Sequence, residues 1–175
     1  MIRRFLSFTD ITSRAAEALA VLLLFAFCLL MLAEVFSRGF LATSLPFSWE
    51  YAAFAMGGTF LLGLGPALRH GTQVRVSLVL DRGGPRWRRG LDLAATAAAL
   101  GLGVLVFLAL FSVFQTSLAR GLRAASYMAT PLAVPQFIAL LGAGQFVLAL
   151  AARLLRLMLG EPTELPRPDE DLPHA

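Results

Sequence analysis

The chain has 175 residues, 58% hydrophobic and 15% charged, with a formal net charge of +4. Soluble domains carry roughly 45–50% apolar and about 25% charged residues, so the composition excludes a soluble enzyme or binding module as the main body and indicates a membrane protein. All 15 basic side chains are arginines spread along the chain. No soluble domain gathers them into a nucleic-acid footprint, and nucleic acid is set aside as a partner.

About 30 Å of hydrocarbon needs roughly 20 helical residues, and four apolar runs reach that scale. The first predicted span covers 15–36. It follows "MIRRFLSF", whose Arg3-Arg4 pair loosely resembles a twin-arginine signal. The apolar run exceeds the usual ~7–15 residues of a signal peptide, and "EVFSRGF" lacks a small-x-small cleavage site, so a retained helix is expected. Its one cysteine, Cys28, is expected to be an apolar filler and allows no internal disulfide. Glu34 precedes Arg38 by four residues, the acid-first spacing that favours a pair along one helix face. A proton or ion relay is the other use of an acid in a span, and the shallow position of Glu34 favours the pair.

The second predicted span covers 51–68. Pro46 suits the turn before it, Ser48 is a candidate N-cap, and Glu50 complements the positive helix end. Glu50 could also meet Arg38 across the short loop. Small residues such as Gly57 and Gly63 lie at spacings with Ala53 and Thr59 that let a neighbouring helix approach closely. Gly65-Pro66 should weaken or kink the last turn.

Arg69 and His70 then stop the span at the headgroups, and Gly71 lets the chain turn. The stretch "TQVRVSLVLDRGGPRWRRG" alternates like a strand through Val74, Val76, Leu78 and Leu80. An open strand edge has no partner at a membrane, so a short amphipathic interfacial helix is expected, ended by Gly83-Gly84-Pro85. Arg75 and Arg82 would snorkel to phosphates and Trp87 would anchor at the boundary. Arg86, Arg88 and Arg89 are read as fixing topology.

The third and fourth predicted spans cover 91–118 and 134–155. Both carry small residues, and Gln115, Gln136 and Gln145 are expected to serve as interhelical hydrogen-bonding groups. The proline- and acid-rich stretch 161–175 is too polar to pack and is expected to be a disordered cytoplasmic tail. The fold class is therefore an all-α membrane protein: one four-helix transmembrane domain over residues 1–160.

Twelve arginines lie before the first span, between the second and third, or at and beyond the end of the fourth. Only Arg38, Arg120 and Arg123 lie on the other side. That bias predicts both termini in the cytoplasm. The two histidines, His70 and His174, cannot supply paired haem ligands inside the spans. No HExxH, GxSxG or Walker pattern is present, so no catalytic, cofactor or metal residue is assigned and no enzyme is expected. The deep parts of the spans lack Asp, Glu, Lys and Arg, which leaves the chain poorly equipped to carry ions or protons alone.

The segments "EVFSRGF", "SLPFSWEYA", "GGTFLLGLGPALRHGTQVRVSLVL" and "ATPLAVPQF" resemble the small membrane subunit of tripartite ATP-independent periplasmic (TRAP) transporters. The resemblance covers most of 30–82, with further support around 115–150. It is most specific at Arg38, at Pro46 to Glu50, and at the exit formed by Gly63, Ala67, Leu68, Arg69, Gly71, Val74, Arg75 and Val76. Ser77 stands where the family often has an acid, and "LLGAGQF" replaces the usual proline and glycine of the fourth helix. The resemblance implies an accessory subunit of the bacterial inner membrane, bound to a large permease subunit that holds the sodium and substrate sites. A periplasmic binding protein would deliver an organic acid, and lipids would surround the assembly. Glu34, Arg38, Glu50, Gly57, Gly63, Arg69, Gly71 and Arg75 are the structural and interface candidates. A small homo-oligomeric channel or exporter is the alternative, and a redox-enzyme anchor is disfavoured by the missing haem ligands.

Overall fold

The computed structural model describes residues 2–71, 85–126 and 128–160. It contains four long helices: α1 (Ile2–Phe40), α2 (Ser48–Arg69), α3 (Pro85–Arg120) and α4 (Ala133–Leu159). Each is long and apolar enough to cross a membrane, and only helices can satisfy the backbone of separate spans in lipid. The expected interfacial segment after α2 and the expected tail lie outside the described residues.

The helices run up and down. The start of α1, the end of α2, the start of α3 and the end of α4 share one end of the molecule, called here the terminal end. The α1–α2 and α3–α4 connections form the loop end. Helix α4 packs against all three others, α2 also packs on α1, and α3 touches only α4 among the described residues. The arrangement is thus a three-helix core with α3 attached to its side, rather than a closed four-helix ring. Burial follows from this: in the most apolar stretch of each helix, 33% of α2 and 39% of α4 residues are buried, against 11% in α1 and 6% in α3.

Helix α1 begins well before the predicted start at residue 15. Residues 2–14 carry polar groups that lower their hydropathy, yet Leu6, Thr9, Ser13, Ala16 and Ala20 form one buried stripe at three- and four-residue spacing. The Thr9 hydroxyl donates back to the Phe5 carbonyl at 3.0 Å, which removes the penalty of burying it. Helix α3 also extends past its predicted bounds at both ends. At 1.5 Å per residue these two helices exceed the hydrocarbon thickness and must tilt or project from it.

Small residues set the helix separations. A Cβ on Gly142 of α4 would lie 2.6 Å from the Leu61 carbonyl carbon and 2.7 Å from the Leu62 nitrogen, so α2 and α4 meet backbone to backbone there. Gly65 of α2 sits over Gln145 and Ala149, and Gly103 of α3 packs on Leu150 and Val147. By contrast, Gly57 and Gly63 have nothing within 4 Å of an added Cβ. These two sequence candidates do not mark a close approach among the described residues; the neighbouring Gly58 does, between Leu23 and Ile138. The core divides into a patch of Ala16, Ala20 and Leu62 and a second patch of Leu68, Ala149 and Leu150.

Helix α2 runs through Pro66 to Arg69, and the His70 N–H bonds to the Pro66 carbonyl at 2.9 Å. Gly71 then takes φ 64°, a left-handed conformation that glycine adopts without a Cβ clash. Ser48 does not act as the N-cap. The cap position belongs to Phe47 in helical dihedrals, and the fully buried Ser48 hydroxyl instead donates to the Leu45 carbonyl at 2.9 Å.

Candidate functional site

Polar chemistry concentrates at the two ends. At the loop end, Glu34 is buried and its carboxylate gathers the α1–α2 connection. Its Oε1 accepts from Arg38 Nη2 at 2.5 Å and from the Ser44 hydroxyl at 2.7 Å; its Oε2 accepts from the Leu45 N–H at 2.8 Å. Arg38 also donates to the Ser44 hydroxyl at 3.0 Å, and Ser37 donates to the Thr43 carbonyl at 2.7 Å. The i,i+4 pair thus forms, and the same acid folds the loop over it.

Glu50 does not meet Arg38, which is consumed by Glu34 and Ser44. Its Oε2 instead accepts from the Ser126 hydroxyl in the α3–α4 connection, and Thr130 donates to the Tyr51 hydroxyl at 3.4 Å. These two contacts join the start of α2 to the α3–α4 connection. Trp49 is exposed at this end and Trp87 at the terminal end, the placement of an aromatic belt at two membrane boundaries.

At the terminal end, Asp10 of α1 pairs with Arg69 of α2 and Arg156 of α4, the latter at 2.8 Å, both through Oδ1. One carboxylate therefore ties all three core helices. His70 stands 3.5 Å from Glu17 on the outside of this knot. Arg89 of α3 donates to the Leu157 carbonyl of α4 at 2.9 Å, placing a cation at the negative end of that helix. Gly160 closes α4 at φ 72°, its N–H bonded to the Arg156 carbonyl. Sequence spacing marked Arg69 but gave no sign of Asp10 or Arg156 as its partners. Arg75 lies outside the described residues.

Between the two ends, the stretches 18–33, 51–68, 93–119 and 134–152 contain no Asp, Glu, Lys, Arg or His. None of Gln115, Gln136 and Gln145 makes the expected interhelical side-chain hydrogen bond among the described residues; Gln136 Oε1 and Gln145 Nε2 are buried without partners. No group of His, Cys, Asp and Glu able to hold a metal occurs among the described residues. The exterior is instead apolar, with large exposed side chains along α1 and α3 including Leu22, Phe25, Leu102 and Leu105.

An apolar groove of about 690 Å³ lies over α4, walled by Thr12, Ala15 and Leu19 of α1 and by Phe107 of α3. A smaller one of about 250 Å³ lies near the loop end, among Phe27, Tyr51, Phe54 and Ile138. What this arrangement offers is polar ties at both ends, an apolar middle and broad uncovered apolar faces.

A search among curated proteins gives no match. The family model described as "Tripartite ATP-independent periplasmic transporters, DctQ component" matches residues 27–160, most of the chain and all four helices in whole or part. The chain is thus a multi-pass membrane protein that belongs to the DctQ component family of the tripartite ATP-independent periplasmic transporters.

Proposed function

We propose that this chain is the accessory scaffold subunit of a TRAP-type secondary transporter that imports organic acids. It braces a large permease subunit in the bacterial inner membrane, and a periplasmic binding protein delivers the substrate. Uptake is sodium-coupled, with the ion held by the large subunit. The terminal end faces the cytoplasm, in line with the arginine bias. The observation that carries this reading is the sorting of polar groups in a DctQ-family chain: acids and arginines pair at the helix ends, while the middles hold no ionisable acid or base.

Spans without ionisable groups in their middles lack the side chains that carriers commonly use for charged solutes, and suit support rather than transport. Arg69, Arg75 and Gly71 would fix the cytoplasmic edge of α2 against which the permease moves. Glu34, Arg38 and Glu50 would hold the periplasmic edge in shape. The test is uptake of a panel of labelled organic acids by cells lacking this chain. Loss of sodium-dependent uptake of at least one, restored by the wild-type chain, is expected; unchanged uptake of the whole panel would reject the assignment.

A further inference from the structure

The first turns of α1 carry a face that is both basic and apolar. At about 100° per residue, Ile11 lies directly opposite the buried stripe of Leu6, Thr9, Ser13, Ala16 and Ala20. Arg4 and Phe8 stand on one side of Ile11, and Arg3 and Arg14 on the other; all five are exposed. Arg3, Arg4 and Arg14 make no ion pair or side-chain hydrogen bond among the described residues. The nearby acids are committed elsewhere, Asp10 to Arg69 and Arg156 and Glu17 to His70. With 39 residues, α1 is about 58 Å long against about 30 Å of hydrocarbon, so these turns reach past the apolar layer.

The chain's opposite charge is concentrated in residues 161–175, outside the described residues. That stretch holds Glu161, Glu164, Asp169, Glu170 and Asp171 against the single Arg167, a net −4 in a chain of net +4, which leaves +8 on residues 1–160. It also holds Leu165 and Leu172 among its acids. Helix α4 delivers the stretch to the right place. Arg156 stands level with Asp10 of the antiparallel α1, and Gly160 follows about 6 Å farther on, level with the turn around Leu6. Nine residues separate Gly160 from Asp169, enough to span up to about 30 Å, whereas a helix is only about 10–12 Å thick. A stretch too polar to build a core of its own can still pair by charge with a surface to which it is tethered at an effective concentration on the order of millimolar. Lipid phosphates could satisfy the arginines, but headgroups offer nothing apolar to Phe8 and Ile11; residues 161–175 offer both.

We propose that residues 161–175 fold back as a strap over this face of α1, their acids pairing with Arg3, Arg4 and Arg14 and their leucines covering Phe8 and Ile11. The strap closes the basic face of the terminal end to other anions. A photo-activatable phenylalanine analogue at Ser7, which is exposed on the same face, should capture residues 161–175 of the same chain in native membranes, mapped by peptide mass spectrometry. The same probe at Leu22, exposed in mid-span, should capture none of that stretch. Raising salt to 1 M shortens the screening length from about 10 Å to about 3 Å and should lower the capture at Ser7 about fivefold. Glu164→Gln, Asp169→Asn, Glu170→Gln and Asp171→Asn together should lower it as much, and they leave every described helix untouched.

Capture at Ser7 of phospholipid, of another protein or of a second copy of this chain in place of residues 161–175 would overturn the proposal. Capture of that stretch at a rate indifferent to both salt and the four neutralising substitutions would overturn it too, because tethering alone then accounts for the contact.

Discussion

Gly142→Ala tests the close approach of α2 and α4. The new Cβ would stand 2.6 Å and 2.7 Å from backbone atoms of Leu61 and Leu62, and 2.9 Å from the Leu61 Cβ. Carbon atoms settle at about 3.5–4.0 Å, so the helices must part by roughly 1 Å, and backbone cannot swing aside as a side-chain tip can. Overpacking of this kind costs about 1–3 kcal/mol. Replacing a mid-helix glycine by alanine also gains about 1 kcal/mol of helix propensity, which would blur a comparison with wild type. Gly63→Ala supplies the control, because it gains the same propensity and meets nothing within 4 Å. The difference between the two variants isolates the steric part, so Gly142→Ala should be less stable than Gly63→Ala by about 1–3 kcal/mol. Denaturation in mixed micelles followed by far-UV circular dichroism measures it. Equal stability of the two would refute the close α2–α4 approach.

The end pins give further expectations. Asp10→Asn leaves Arg69 and Arg156 facing each other without their shared acid and should destabilise the chain by about 1–3 kcal/mol, between the values for exposed and fully buried pairs; the same denaturation assay checks it. Glu34→Ala removes the acceptor for the Leu45 N–H, so amide exchange at Leu45 should accelerate about tenfold while exchange in the middle of α4 stays unchanged. Arg69→Glu combined with Arg75→Glu should reduce assembly and uptake together, read by co-purification and transport in the same cells; normal values of both would remove these arginines from the cytoplasmic frame.

The number and type of elements were legible because each span is recorded in its own run of apolar residues, independent of the others. The Glu34–Arg38 pair was legible for a similar reason: its spacing belongs to a single helix. What lay hidden depends on how helices face one another. Asp10, Arg69 and Arg156 are 59 and 87 positions apart, and no local pattern links them. Gly58 and Gly63 look alike in sequence, yet the rotation of α2 turns one toward Leu23 and Ile138 and the other to open space. Ser48 resembled a cap because such residues favour helix starts, but its burial directs the hydroxyl to Leu45. The early start of α1 escaped a hydropathy reading because Thr9 and Ser13 are polar by type and inward by position.

The most direct test of the scaffold role is native mass spectrometry of the tagged chain, purified in mild detergent from membranes of its own host. The account predicts a complex of this chain with one much larger multi-spanning subunit in fixed stoichiometry. Recovery of only self-oligomers, joined by solute flux through liposomes containing this chain alone, would contradict it and establish a channel.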